Sequence, residues 1–198
     1  MMDTMKHQKY IQWFLIFWVG GIVVAEIFYF LENSSFSLDV LFALFILIVL
    51  FLIRKHLKSM TGIALIVAGL LMNASGIIGA YNINFWGLGW DKYLHIVSSA
   101  GIMLSLVDTY THELRTSYKW KIFIYITCAM ITLGMGGLNE INEFIGSQVF
   151  GQTGWIFAIQ NVSWPLRFND QFDVYFDLIF NAVGIAIGIF MSFFKKIQ

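Results

Sequence analysis

Residues 173–194 read Asp-Val-Tyr-Phe-Asp-Leu-Ile-Phe-Asn-Ala-Val-Gly-Ile-Ala-Ile-Gly-Ile-Phe-Met-Ser-Phe-Phe. Spanning the hydrocarbon core of a bilayer takes roughly 20 mostly apolar residues, and this run supplies them. Its few polar groups are not scattered. Asp173, Asp177 and Asn181 recur at every fourth position, which on a helix makes one stripe descending roughly 12 Å at 1.5 Å per residue. A stripe of that kind avoids lipid and faces other helices. Gly184 and Gly188 follow as a GxxxG pair, a spacing that lets membrane helices approach closely.

Working outward, five more apolar segments of similar kind are expected at about Tyr10–Leu31, Leu38–Ile53, Thr61–Ala80, Asp91–Tyr110 and Lys121–Asn142. The chain of 198 residues is 59% hydrophobic and only 12% charged, half the share that water-facing helices ordinarily carry. The fold class expected is therefore an all-α polytopic membrane bundle of about six transmembrane helices, forming one domain over residues 1–198. The first run follows Lys6 and Lys9, as a secretory signal would. It is too long for one and contains Glu26, so it reads as a retained helix. The lone Cys128 lies in an apolar run and reads as a small buried hydrophobe.

Charge orients the bundle. With the N-terminus inside, ten of the twelve Lys and Arg residues fall on the cytoplasmic side, leaving only Lys92 and Arg167 outside. This is the positive-inside pattern, with both termini in the cytoplasm. Nine of the twelve acids lie at or within the outer half. That excess needs its own explanation, because acids contribute little to orientation.

The outer acids form stripes. Asp91 and His95 are spaced i, i+4; Glu140 and Glu143 are spaced i, i+3; Asp173, Asp177 and Asn181 complete a third stripe. Glu26 and Asn73 stand alone on the first and third segments, and Arg167 and Asp170 lie in the long connection before the last. Carboxylates from several helices cannot all stay ionised at close range, and each is costly in a membrane unless paired or hydrated. Lys92 neighbours Asp91 and so is expected to point to another face. His95 can serve as cation, base or metal ligand. One divalent cation, among Mg²⁺, Mn²⁺, Ca²⁺ and Zn²⁺, would cancel the remaining charge. A hydrated, proton-sharing network that locks the bundle would do so as well. His7, His56 and His112 read as solvated. The connection from about Ile145 to Phe172 holds Trp155, Phe157, Trp164 and Phe168 and reads as an interfacial or re-entrant lid over the pocket.

Three stretches carry a resemblance: Asp91-Lys92-Tyr93-Leu94-His95, Asn139-Glu140-Ile141-Asn142-Glu143, and Asp173 through Asp177-Leu178-Ile179-Phe180-Asn181 with Gly184 and Gly188. Together they resemble the VanZ-like and YjdF-like bacterial membrane proteins over the C-terminal half of the chain. VanZ-like proteins usually place Gln where this chain has Glu143. The two acids and the Asn169-Asp170-Gln171 stretch lean toward the YjdF-like branch. The resemblance implies the bacterial plasma (inner) membrane and a role in the cell envelope.

Three functions follow as expectations. In the first, the acidic pocket holds a divalent cation and acts as a hydrolase or transferase on a lipid headgroup or lipid-linked envelope precursor. Asp91, His95, Glu140, Glu143, Asp173, Asp177 and Asn181 would line the pocket, and His95, Glu140 or Glu143 would serve as catalytic acid or base. In the second, the protein binds a lipid, a drug or a partner protein without catalysis. In the third, a cation or proton transporter, polar groups would have to continue inward. Ser98, Ser99, Ser105 and Asp108 offer some, but polarity fades below Asn73. No nucleic-acid partner is expected.

Overall fold

A computed structural model describes residues 2–33, 38–75, 80, 83–114, 118–150 and 170–194. At 2–5, 32–33, 38–42, 113–114, 118–119, 142–150 and 170–173 only the backbone is described. Among these residues six α-helices run in order: α1 Met2–Asn33, α2 Leu38–Ile53, α3 Met60–Ala74, α4 Trp90–Leu114, α5 Tyr118–Phe150 and α6 Asp170–Phe194. A 3₁₀ turn, Arg54–His56, joins α2 to α3, and a two-stranded hairpin, β1 Asn84–Phe85 with β2 Leu88–Gly89, precedes α4.

Among the described residues, three helical stretches are long and apolar enough to cross a membrane: Lys6–Leu31, Trp120–Ile141 and Val174–Phe194. The other three segments fall short for two physical reasons. α2 and α3 have 16 and 15 residues, fewer than the roughly 20 a span requires. α4 has 25 residues, but Asp91, Lys92, His95, Ser98, Ser99, Ser105 and Asp108 make it too polar.

The third helix stops at Ala74, six residues before its expected end at Ala80. Its start is fixed by the buried Ser59, whose Oγ accepts the Gly62 N–H at 3.0 Å as an N-cap. Near its end, the Met72 carbonyl accepts the Ser75 hydroxyl at 2.6 Å and the Trp90 indole N–H at 3.0 Å. Trp90 thus braces α3 against α4. The hairpin turns at Trp86 and Gly87, with φ of 51° and 79°. Two successive positive φ values are what a two-residue hairpin turn of primed type requires. The Tyr93 hydroxyl donates to the Phe85 carbonyl at 2.8 Å and pins the hairpin to α4.

Two apolar cores hold the helices. Ile11, Leu15, Ile22, Ala43, Leu47, Leu50, Leu57, Ile63 and Val67 join α1, α2 and α3. Met103, Val107, Ile124, Cys128 and Ile185 join α4, α5 and α6, with Cys128 buried as expected. α4 is central and packs most closely on α6 and α3. Small residues permit this. A Cβ on Gly188 would lie 2.8 Å from the Ala100 carbonyl oxygen, and one on Gly101 would lie 2.7 Å from the Ile66 nitrogen. Gly184 meets the Ile96 carbonyl and Ser99 in the same way.

α6 carries its polarity inward. Asp177, Asn181, Gly184, Ile185 and Gly188 are buried, while Tyr175, Ile179, Val183, Ile187, Phe190 and Phe194 are exposed. On α5, Ile124, Cys128, Thr132 and Glu140 are buried at four-residue multiples, and Phe123, Ile126, Met130, Leu138 and Ile141 are exposed. A polar interior behind an apolar exterior suits a lipid surrounding.

α5 continues through Phe150 and α6 begins at Asp170, so the connection is shorter at both ends than the 145–172 expected. Its reading as a lid, and Arg167 with it, fall on residues 151–169, outside those described.

A candidate metal centre where α4, α5 and α6 meet

The start of α4, the later part of α5 and the first half of α6 converge at one end of the bundle. The close approach of α6 at Gly184 and Gly188 sets Asn181 and Asp177, one and two turns nearer that end, beside the first turns of α4. His95, Glu140 and Asp177, one from each helix and all buried, present ligand atoms within 4.8 Å of one another. His95 Nε2 lies 3.6 Å from Glu140 Oε1 and 3.5 Å from Asp177 Oδ1.

These spacings fit a metal ion. Two donor atoms each about 2.0–2.2 Å from a tetrahedrally bound zinc stand about 3.4 Å apart. The donor set of one imidazole and two carboxylates resembles that of catalytic sites, which use three protein ligands and leave a position open. It also suits other divalent ions of borderline hardness.

Lys92 occupies a place the sequence did not assign to it. Its Nζ lies 2.7 Å from Asp91 Oδ2 and 2.6 Å from Asp177 Oδ1, with 12% of the side chain exposed. Adjacent residues leave a helix in different directions, but a four-carbon stem can bend so that the ammonium reaches both carboxylates. Among the described residues three carboxylates, Asp91, Glu140 and Asp177, gather around one ammonium and one imidazole. With His95 neutral these described groups sum to two net negative charges, which a divalent cation would cancel. An ionised carboxylate oxygen has room for more than one partner, so Asp177 can hold Lys92 and still face His95.

Behind the imidazole, His95 Nδ1 lies 3.3 Å from Asn181 Oδ1, and the Ser99 hydroxyl donates to the same oxygen at 2.6 Å. Ser99 stands one turn beyond His95 on the same face of α4. That spacing was visible in the sequence, although it suggested only a polar path. Gly136, one turn before Glu140, makes room for the Asn181 amide: a Cβ there would lie 2.5 Å from Nδ2.

The other residues singled out by sequence fall elsewhere. Asp91 joins the group through Lys92. Glu143, Asp170 and Asp173 sit on the backbones of α5 and α6 at positions whose side chains are outside those described. Asn73 is buried on α3 beside Met72. Glu26, buried on α1, lines a separate cleft of about 230 Å³ with Val23, Ile27, Phe30, Leu31 and Leu44. It is not among the carboxylates that meet His95. His56 and His112 are exposed, whereas His7 is half-buried on α1.

A family profile described as "Predicted membrane protein (DUF2238)" matches residues 11–196, nearly the whole chain. No curated protein and no solved structure shows significant similarity to it.

Proposed function

The chain belongs to this family of predicted membrane proteins, and on that premise we propose that it is a bacterial plasma-membrane protein whose His95–Glu140–Asp177 centre holds one divalent cation near the extracytoplasmic surface. The observation that carries this reading is the convergence of three buried ligand atoms, from three helices, within 4.8 Å. Buried like charges from separate helices need a neutralising guest, and the spacing fits a metal.

The sidedness rests on Lys and Arg. Ten of twelve lie at the opposite end if all six helices span with both termini inside. Surrounding lipid would let the short α2 and α3 cross by local thinning or by borrowing flanking residues. The resemblance to VanZ-like and YjdF-like proteins supports the bacterial envelope setting.

The substrate class that best suits such a centre is the headgroup of a lipid or of a lipid-linked envelope precursor. A bound divalent cation would polarise an ester and activate water or a hydroxyl. In this reading Glu140 would hold the cation with His95 and Asp177, and Lys92 would compensate charge. Metal analysis of protein purified without chelator tests the reading: about one equivalent is expected in the wild type and none in His95→Ala. Lipid analysis of a deletion strain, expected to show an accumulated headgroup species, tests the chemistry.

A second reading is favoured by the Lys92 contacts at 2.6 and 2.7 Å. Here the cluster is an ionic lock between α4 and α6 in a protein that binds lipid or a partner without catalysis. It predicts no metal, unchanged lipids, and a loss of stability alone when Asp177 is replaced.

A further inference from the structure

We infer that Asn181 and Ser99 are positioning residues that fix the tautomer of His95, so that Nε2 turns its lone pair toward Glu140 and Asp177, where a cation would be held. This deepens the metal reading and rests on it only for the affinity measurement below.

The argument starts from one oxygen. Asn181 is 2% exposed, and its Oδ1 receives the Ser99 hydroxyl at 2.6 Å. The same oxygen lies 3.3 Å from His95 Nδ1. An amide oxygen is an acceptor only, so the imidazole nitrogen facing it must carry the proton. In a neutral ring Nε2 then holds a lone pair. That lone pair faces Asp177 Oδ1 at 3.5 Å and Glu140 Oε1 at 3.6 Å. Three electron-rich atoms so placed repel unless a proton or a metal ion lies between them.

Were the amide turned over, its NH₂ would face Nδ1, the proton would move to Nε2, and the imidazole would satisfy a carboxylate by itself. In the observed orientation Ser99 donates to the oxygen. The Nδ2 side lies beside Gly136, where a Cβ would lie 2.5 Å away. Nδ2 is buried with no hydrogen-bond partner among the described residues. Leaving a buried donor unsatisfied is costly, so the tautomer measurement below decides between the two orientations. A histidine that binds metal commonly donates its second ring N–H to such an acceptor, and loss of the acceptor typically weakens metal binding 10–100-fold.

The test uses the full chain in lipid nanodiscs with ¹⁵N-labelled histidine, His95→Ala assigning the resonance, and Zn²⁺ as the probe. The wild type is expected to show the Nδ1–H tautomer without metal, or a doubly protonated ring that loses its Nε2 proton on adding Zn²⁺. Asn181→Leu is expected to lose the Nδ1–H preference and to weaken Zn²⁺ binding about 10–100-fold. Asn181→Asp keeps an acceptor and is expected to restore both. Ser99→Ala, which preserves the Cβ packed near Gly184, provides a milder second variant with a shift in the same direction. A wild-type ring protonated only at Nε2, or a tautomer unchanged in both Asn181→Leu and Ser99→Ala, overturns the inference. If the wild type takes up no Zn²⁺, the metal reading fails, and the tautomer results alone decide the positioning role.

Discussion

Lys92 on α4 and Asp177 on α6 form a buried ion pair, with Nζ 2.6 Å from Oδ1 and the two side chains 12% and 3% exposed. The pair ties together the two most closely packed helices beside the candidate centre. Removing one member of a buried pair leaves an uncompensated charge and typically costs about 3–5 kcal/mol. Lys92→Met is therefore expected to lower unfolding stability in detergent or bicelles by about that amount. Adding Asp177→Leu should recover much of the loss, since an apolar replacement of both partners is often neutral. A loss well below 1 kcal/mol for Lys92→Met would show that the pair is hydrated rather than buried.

The centre makes stability depend on metal. A ligand that binds only the folded state stabilises it by about 2.7 kcal/mol at a hundredfold excess over its Kd. Zn²⁺ or Mn²⁺ at that level should raise the thermal midpoint of the wild type, and chelator should reverse the change. His95→Ala and Glu140→Gln should show no response. An equal response in His95→Ala would place the binding elsewhere.

The glycines divide into two classes that thermodynamic measurement can separate. Gly184 and Gly188 lie against the backbone of α4, so the GxxxG pair is used within the chain. An added methyl there must displace packed helices, at a cost of typically about 1–3 kcal/mol. Gly134 has nothing within 4 Å of the position a Cβ would take. Gly134→Ala should gain up to about 1 kcal/mol from helix propensity. Similar losses from Gly184→Ala and Gly134→Ala would contradict the observed packing.

The sequence made the helices and the inward stripes legible because both depend on local periodicity. α2 has the expected limits, Leu38–Ile53, and the four-residue spacing of Asp177 and Asn181 correctly placed both on the buried face of α6. Three features depended on contacts that a linear reading does not contain. Lys92 was set aside because neighbouring residues diverge on a helix, whereas its long stem reaches carboxylates on two helices. The bond from Trp90 to the Met72 carbonyl joins residues 18 positions apart, which no local periodicity signals. α3 was extended to Ala80 because composition stays apolar past Ala74, while the capture of the Met72 carbonyl is a tertiary event. Glu26, which stands alone on its segment in the sequence, lies where α1 packs on α2.

Orientation in the membrane gives the last prediction. Thr109 Oγ1 donates to the His56 carbonyl at 3.4 Å, which sets the basic turn Arg54–His56 near the far end of α4. From Trp90 to Thr109 a helix rises about 28 Å, close to the thickness of the hydrocarbon core, roughly 30 Å. If α4 spans the membrane, the basic turn and the His95 centre lie at opposite surfaces. Trp86, 90% exposed in the hairpin turn, marks the centre's side, and the exposed Lys55 marks the other. With the positive charges inside, a membrane-impermeant maleimide should label Trp86→Cys on intact spheroplasts and Lys55→Cys only after permeabilisation. The buried Cys128 should stay unlabelled in both. The opposite pattern would put the centre at the cytoplasmic face and exclude an extracytoplasmic headgroup as its substrate. Labelling of both positions from outside would mean that α4 does not span.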